Sequence, residues 1–321
     1  MIEPLAIGID IGGTNLRFAL VDASGRIRHR IRTVSQIGQG RDAFCRRLLD
    51  GITEIKAASD DCCATVIGVG AGVPGLVDKE GVIRSSVNMR PLDGFNLSAY
   101  LEQQTGLPSA CCNDATLIAR GEHVFGAARG LDSFIVITIG TGLGSGLVLN
   151  RQLWGGAGGF AAEFGHVTVE PEGLPCPCGN RGCLEQYVSA GAVVRFLLNR
   201  LNREQLDTPS SPMDARQIAL LARQGHVSAL AAFADAGRYL GIALASLTNT
   251  LNLQAAVLCG GVSASLDLMQ PALQHEIATR CFPQIAADFS IISGTLGDDA
   301  GILGAAAMML GQVPNRGELY G

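Results

Sequence analysis

The chain has 321 residues, 47% hydrophobic and 17% charged, a globular composition too long for one core of about 100–200 residues, so two lobes are expected. Net charge is −5, with only two lysines, Lys56 and Lys79, no basic tract, and aromatic residues at 5%. Those values argue against a nucleic-acid surface. The longest wholly apolar runs, such as Ala305–Leu310, fall far short of the about 20 residues of a membrane span, and Met1-Ile2-Glu3-Pro4 lacks a signal-peptide pattern. The chain therefore reads as cytoplasmic, with no membrane and no nucleic-acid partner, and its ten cysteines as reduced thiols or metal ligands.

Strands are expected at Leu5–Asp10, Leu16–Val21 and Arg26–Thr33, forming an antiparallel meander. Phe44, Leu48, Ile52 and Ile55 recur at helical spacing within Arg41–Ala58. A buried-type strand at Thr65–Gly70 follows. Leu76–Ile83 reads as strand, turn, strand, Leu97–Thr105 as a helix stopped by Gly106 and Pro108, and Asp114–Ala128 as a helix. Phe134–Ile139 is the most apolar strand, and a Gly-rich turn leads to a strand at Leu147–Asn150. Residues 155–186 read as loop. Tyr187–Asn252 reads as largely helical, with a long helix from about Val227, then a strand at Ala255–Leu258 and helix, strand, helix to Leu310. This alternation indicates an α/β class.

Two segments echo each other. Apolar strands flank Asp10-Ile11-Gly12-Gly13-Thr14-Asn15 and again Gly140-Thr141-Gly142-Leu143-Gly144-Ser145-Gly146. Glycine turns let backbone N–H groups converge on phosphate, Asp10 can serve magnesium, and the hydroxyls of Thr14, Thr138 and Thr141 can donate to phosphate oxygens. Tight hairpins alone would also use such glycines. The repetition favours phosphate and a duplicated nucleotide-binding architecture. By contrast, Gly70-Ala71-Gly72-Val73-Pro74-Gly75 matches a dinucleotide fingerprint but is not followed by a helix, so it is read as a substrate-side loop.

Cys176, Cys178 and Cys183 lie within eight residues of a Gly/Pro loop, ten residues after His166. Three thiols and an imidazole suit tetrahedral zinc, with reduced thiols as the alternative. Asn113-Asp114 stands where a strand-like segment meets a helix, and Asp114 fits a general base or an N-cap equally. Glu163, His166 and Glu185 bracket the cysteine loop, and such acceptors suit vicinal diols of a polyol.

Together these residues resemble the ROK family of bacterial sugar kinases and repressors, within the sugar kinase/actin ATPase superfamily. The resemblance runs through the Asp10–Asn15 turn, Gly72-Val73-Pro74-Gly75-Leu76-Val77-Asp78, Asn113-Asp114-Ala115, Gly140–Gly144, Ala162-Glu163-Phe164-Gly165-His166, the cysteine loop to Glu185, Gly260-Gly261-Val262 and Asp298-Asp299-Ala300-Gly301. It implies a two-lobed kinase fold, with a small α/β lobe of residues 1–114 plus 299–321 and a large lobe of residues 115–298 carrying the zinc loop. It implies Asp114 as catalytic base, with Asn88, Asn113, Asp114, Glu163, His166 and Glu185 holding the sugar. Asp10, Gly12, Gly13, Thr14, Asn15, Thr138, Gly140, Thr141, Gly142, Gly260 and Gly261 would hold ATP with Mg²⁺. His166, Cys176, Cys178 and Cys183 would hold a structural Zn²⁺.

The sequence departs from the family pattern at Asn15, where lysine is common, and at Ala162, where glycine usually precedes the glutamate. Cys259 precedes two glycines rather than three, and Met89-Arg90-Pro91-Leu92-Asp93 lacks the frequent Pro-Gly-Trp. The family's repressors carry an N-terminal winged helix, for which the turn at Asp10 is read as leaving no room. The stretch from Cys178 to Tyr187 with Ser189-Ala190 resembles the glucokinase branch, implying ATP-dependent phosphorylation of glucose at the 6-hydroxyl. A kinase for fructose or an N-acetylated hexosamine, or a non-catalytic sugar sensor, are the alternatives. Gly72–Leu76 is the candidate wall beside C2 of the sugar. A homodimer or homotetramer is the default expectation.

Overall fold

The computed structural model describes residues 3–60, 64–86, 88–205 and 211–311. Cys62, Cys63 and residues 312–321 of the expected terminal segment lie outside them. In chain order the elements are β1 (Glu3–Ile11), β2 (Asn15–Asp22), β3 (Ile27–Val34), α1 (Arg41–Asp60), β4 (Ala64–Val73), β5 (Leu76–Val77), β6 (Ile83–Ser85), α2 (Leu97–Thr105), β7 (Ser109–Asn113) and α3 (Asp114–Val124). Then come β8 (Phe134–Ile139), β9 (Leu143–Leu149), β10 (Gln152–Leu153), α4 (Ala190–Arg203), α5 (Ala215–Arg223) and α6 (Val227–Leu251). The last are β11 (Ala255–Cys259), α7 (Leu266–Arg280), α8 (Pro283–Asp288), β12 (Ser290–Ser293) and α9 (Ala300–Leu310).

The chain forms two compact units, residues 1–132, 146–162 and 294–321, and residues 133–145 and 163–293. The two sheets repeat one plan: β3-β2-β1-β4-β7 and β10-β9-β8-β11-β12. In each, antiparallel hairpin strands stand on one side and parallel strands on the other, with β1 parallel to β4 and β8 parallel to β11. The sequence echo at the two Gly-rich turns is thus the trace of a duplicated architecture.

In unit 1, β1 alternates by face as a strand must. Leu5, Ile7, Ile9 and Ile11 join Phe44, Leu48, Ile52 and Ile55 of α1 in one core. Ala6 faces the other way, into a core with Ile302, Leu303, Ala305 and Met308 of α9. Helix α3 packs on α9 so closely that a Cβ at Gly304 would lie 1.7 Å from the Leu117 carbonyl oxygen. That contact draws α3 into unit 1, which therefore runs beyond the expected boundary at residue 114.

In unit 2, α6 packs against α4, α5 and α7. By length and composition alone this helix could cross a membrane, a property that short apolar runs in the sequence conceal. Here Phe233, Leu240 and Leu244 on it are fully buried in protein. Strand β9 begins at Leu143, four residues before its sequence-expected start. Gly144, Ser145 and Gly146 thus belong to the strand and not to the turn. A Cβ at Gly146 would lie 2.6 Å from that of Ala119, so this glycine serves close approach of α3 and not chain reversal. The Gly70–Gly75 run likewise lies in β4 and its exit, and opens no helix.

Candidate active site

Unit 1 brings together Asp10, Gly12, Gly13, Thr14, Asn15, Asn88, Asn113 and Asp114. The first turn joins β1 to β2. Ser35 secures it, its N–H donating to the Thr14 carbonyl at 2.9 Å and its hydroxyl to the Gly13 carbonyl at 2.7 Å. With the carbonyls held, the backbone N–H groups of Gly13 and Thr14 have no partner among the described residues, which is the polarity an anion needs. Exposed Asn88 lies alongside: its Cβ is 3.7 Å from where a side chain on Gly13 would begin.

Asp10, one residue before the end of β1, stands directly opposite Arg17 on β2. Arg17 Nε donates to Asp10 Oδ2 at 2.8 Å and its Nη2 makes a second bond to the same oxygen. Both bonds from Arg17 fall on Oδ2, leaving Oδ1 for a cation. Sequence reading missed Arg17, although hairpin register alone pairs it with Asp10.

The N-cap of α3 is Asn113, whose Oδ1 accepts from Thr116 N–H at 3.1 Å while its Nδ2 donates to the Gly75 carbonyl at 3.0 Å. Asp114 is the first helical residue, and its carboxylate accepts from the Ala115 N–H at 2.8 Å. The capping explanation for Asp114 is therefore displaced onto its neighbour. Burial pushes the Asp114 carboxyl above the ordinary carboxylate range, and the charge of Asp10 pushes it further the same way.

Unit 2 brings together Thr138, Gly140, Thr141, Gly142, Glu163, His166, Glu185, Gly260, Gly261 and the three cysteines. Its turn repeats the first: the N–H groups of Thr141 and Gly142 have no partner among the described residues. Glu185 Oε2 accepts the next N–H, that of Leu143, at 2.8 Å. Gly260 adopts φ +87°, and a Cβ there would lie 2.5 Å from the Ile139 carbonyl oxygen, so only glycine fits beside the end of β8. Gly140, Thr141 and Gly261 line a cavity of about 200 Å³, together with Asp214, Arg216 and the buried Phe233. The latter three carried no local signal in the sequence, since only the fold brings α5 and α6 to the turn.

The ligand atoms of His166, Cys176, Cys178 and Cys183 all lie within 4.8 Å of one another. Cys178 Sγ is 3.7 Å from Cys183 Sγ, and Cys176 Sγ is 3.7 Å from His166 Nδ1. A tetrahedral site with Zn–S near 2.3 Å and Zn–N near 2.05 Å requires edges of about 3.5–3.8 Å. The donor set and its spacing therefore fit zinc. Hydrogen bonding from the Asn180 backbone lowers the Cys178 thiol, while burial pushes Cys183 up to about 12. The imidazole divides its duties: Nδ1 faces the thiols, and Nε2 lies 3.9 Å from Glu163 Oε2.

The sequence model of the ROK family matches residues 6–312. The chain belongs to the ROK family. A glucokinase of Thermotoga maritima is 33% identical over 310 residues, covering 94% of this chain and 96% of that one. A xylose repressor of Bacillus subtilis is 30% identical over 312 residues, covering 95% of this chain and 77% of that one. Among solved structures, a ROK glucokinase of Streptomyces griseus in complex with glucose and AMPPNP is 33% identical, with TM-score 0.76 over 95% of this chain and 99% of that one. The ROK hexokinase of Thermus thermophilus is 29% identical, with TM-score 0.80 over 96% of this chain and 99% of that one. The repeated sheets are accordingly those of the two-lobed sugar kinase/actin-type ATPase fold.

Proposed function

We infer that this ROK protein is an ATP-dependent hexose kinase acting on the 6-hydroxyl, with glucose its best acceptor. The observation that carries the reading is Asp114: a carboxylate relieved of capping by Asn113, raised above its ordinary range and set beside Asp10. A base so tuned accepts a proton from a hydroxyl more readily than an exposed aspartate does. The glucokinase relatives support the same activity.

In this reading the carboxylate of Asp114 takes the 6-hydroxyl proton as that oxygen bonds to the γ-phosphorus, and the bond from phosphorus to the ADP oxygen breaks. The unpartnered N–H groups of Gly13, Thr14, Thr141 and Gly142 are assigned to phosphate oxygens, where fixed dipoles are of most use. Asp10 would hold Mg²⁺, which supplies charge neutralisation on the phosphates. Asn88, Asn113, Glu163, His166 and Glu185 are assigned to sugar hydroxyls, and the 200 Å³ cavity beside Gly261 to the nucleobase. His166, Cys176, Cys178 and Cys183 would hold structural zinc.

A non-catalytic sugar sensor is the second reading, because xylose repressors match over 95% of the chain. Coupled ADP release separates the two, measured with glucose, mannose, 2-deoxyglucose, fructose, N-acetylglucosamine and N-acetylmannosamine. We expect glucose to have the highest kcat/KM. A pocket that hydrogen-bonds the 2-hydroxyl should make the N-acetylated sugars poor substrates, since each unpaired buried group costs about 1–3 kcal/mol. ADP release with none of the six supports the sensor. An N-acetylated sugar or fructose in first place keeps the kinase and overturns glucose.

A further inference from the structure

The face of the β2–β3 hairpin turned toward α9 carries an excess of positive charge. Arg17 stands directly opposite Arg32, and Ala19 opposite Arg30. Cross-strand partners share a face, and like charges placed opposite one another destabilise the pair. Two of the three arginines are answered. Arg17 bonds to Asp10, and Arg30 holds Asp299 through both terminal nitrogens at 2.8 Å. Arg32 is exposed and has no carboxylate partner among the described residues. Arg17, Arg30, Arg32 and Asp299 line a cavity of about 260 Å³, floored by Ile27 and Ile302.

We propose that this cavity is a second anion site, separate from the phosphate turns, that takes a phosphoryl dianion. Beyond the bonds to Asp10 and Asp299, Arg17 retains Nη1, Arg30 retains Nε and Arg32 retains its whole guanidinium. Guanidinium groups bind phosphoryl oxygens through such forked donors, more strongly than neutral groups do. A dianion between Arg17 and Arg32 converts their mutual repulsion into attraction. The cavity is roomier than one phosphoryl group, and its isoleucine floor suits a small organic body, so inorganic phosphate and a phosphate monoester both match its chemistry. Arg17 is shared with Asp10, so an anion drawing on Arg17 competes with Asp10 for it. An effect of that competition on phosphoryl transfer rests on the kinase reading, whereas binding does not.

The test is calorimetric titration of the full chain with inorganic phosphate and, separately, with glucose 6-phosphate. Saturating glucose, Mg²⁺ and a non-hydrolysable ATP analogue fill the proposed active site throughout. We expect saturable binding of at least one probe, and the tighter probe identifies the source of the phosphoryl group. Arg30→Ala and Arg32→Ala should each weaken it about tenfold. In phosphate-free buffer Arg32→Ala should melt no lower than wild type, because it removes a like-charge pair. In phosphate it should lack the wild-type rise in Tm. No saturable heat from either probe, or unchanged affinity in the Arg30→Ala/Arg32→Ala double variant, overturns the site even if the kinase is active. Binding that depends on Arg32 in a chain inactive on every sugar upholds the site and overturns only the kinase.

Discussion

At Asp114 activity and stability pull in opposite directions. The folded carboxyl holds its proton to higher pH than the unfolded one does, chiefly because it is buried. Between those two values the native state binds more protons, so stability falls as pH rises through that window. Above it Asp114 is a net cost to the fold. Asp114→Asn should therefore lower kcat about 10²–10⁴-fold with little change in sugar KM, yet raise Tm at neutral pH. The acidic limb of the wild-type pH–rate profile, set by protonation of this base, should vanish in whatever activity remains. Activity within about threefold of wild type would remove Asp114 from the chemistry. The sequence placed this residue at a strand–helix junction, but left base and N-cap as equal readings of Asp114. That choice depends on the extended backbone at Asn113, φ −59° and ψ 143°, which spacing does not report. Ala162 shows the reverse case, where a departure visible in the sequence has a physical meaning. Its φ is +70°, in the left-handed region where a Cβ is strained. Ala162→Gly should relieve that strain and, after the entropy glycine adds to the unfolded chain, gain about 0.5–1 kcal/mol. A lower Tm for Ala162→Gly in thermal unfolding would contradict this.

Between elements, the tie that sequence patterning could not show is Glu122 on α3, whose side chain is fully buried. Its carboxylate accepts from Ala127 N–H at 2.8 Å, Thr295 N–H at 3.2 Å and Leu296 N–H at 3.1 Å. One side chain thus fixes both the exit of α3 and the segment that delivers α9 to the sheet. In the sequence Glu122 reads as an ordinary solvent-facing helical residue, since nothing local marks a charge as buried. Glu122→Gln keeps the size but puts an NH₂ group where N–H donors already converge. It should cost about 2–3 kcal/mol, read as a lower midpoint in urea with unchanged slope. A loss below about 0.5 kcal/mol would mean that the three bonds are dispensable. The elements themselves were largely legible, because strand alternation in β1 and helical spacing in α1 each reflect burial on one face. The start of β9 was not. Gly144 and Gly146 look like turn residues, and for Gly146 the close approach of α3 supplies the reason.

At the scale of the whole molecule, the repeated sheet order gives each unit its own Gly-rich turn, while the cysteine cluster belongs to unit 2 alone. The loop that carries the cluster is also held from its far side. Tyr187 accepts from Leu174 N–H at 2.9 Å, its ring lies 4.3 Å from that of Tyr239, and Tyr239 donates to Glu170 at 3.4 Å. These contacts anchor the loop to α6 without any metal. Removing the metal should therefore open the loop locally and leave the rest of the chain folded. Purified protein should contain about one zinc per chain, and Cys178→Ser should lose it. After chelation, hydrogen exchange should quicken across residues 166–183 and stay unchanged in β1, β4 and α9. Because His166 is both a thiol neighbour through Nδ1 and a neighbour of Glu163 through Nε2, the same treatment should weaken sugar binding more than nucleotide binding. Metal-free protein with wild-type sugar affinity, or exchange that quickens equally in both units, would show that the cluster neither holds the loop nor sets His166.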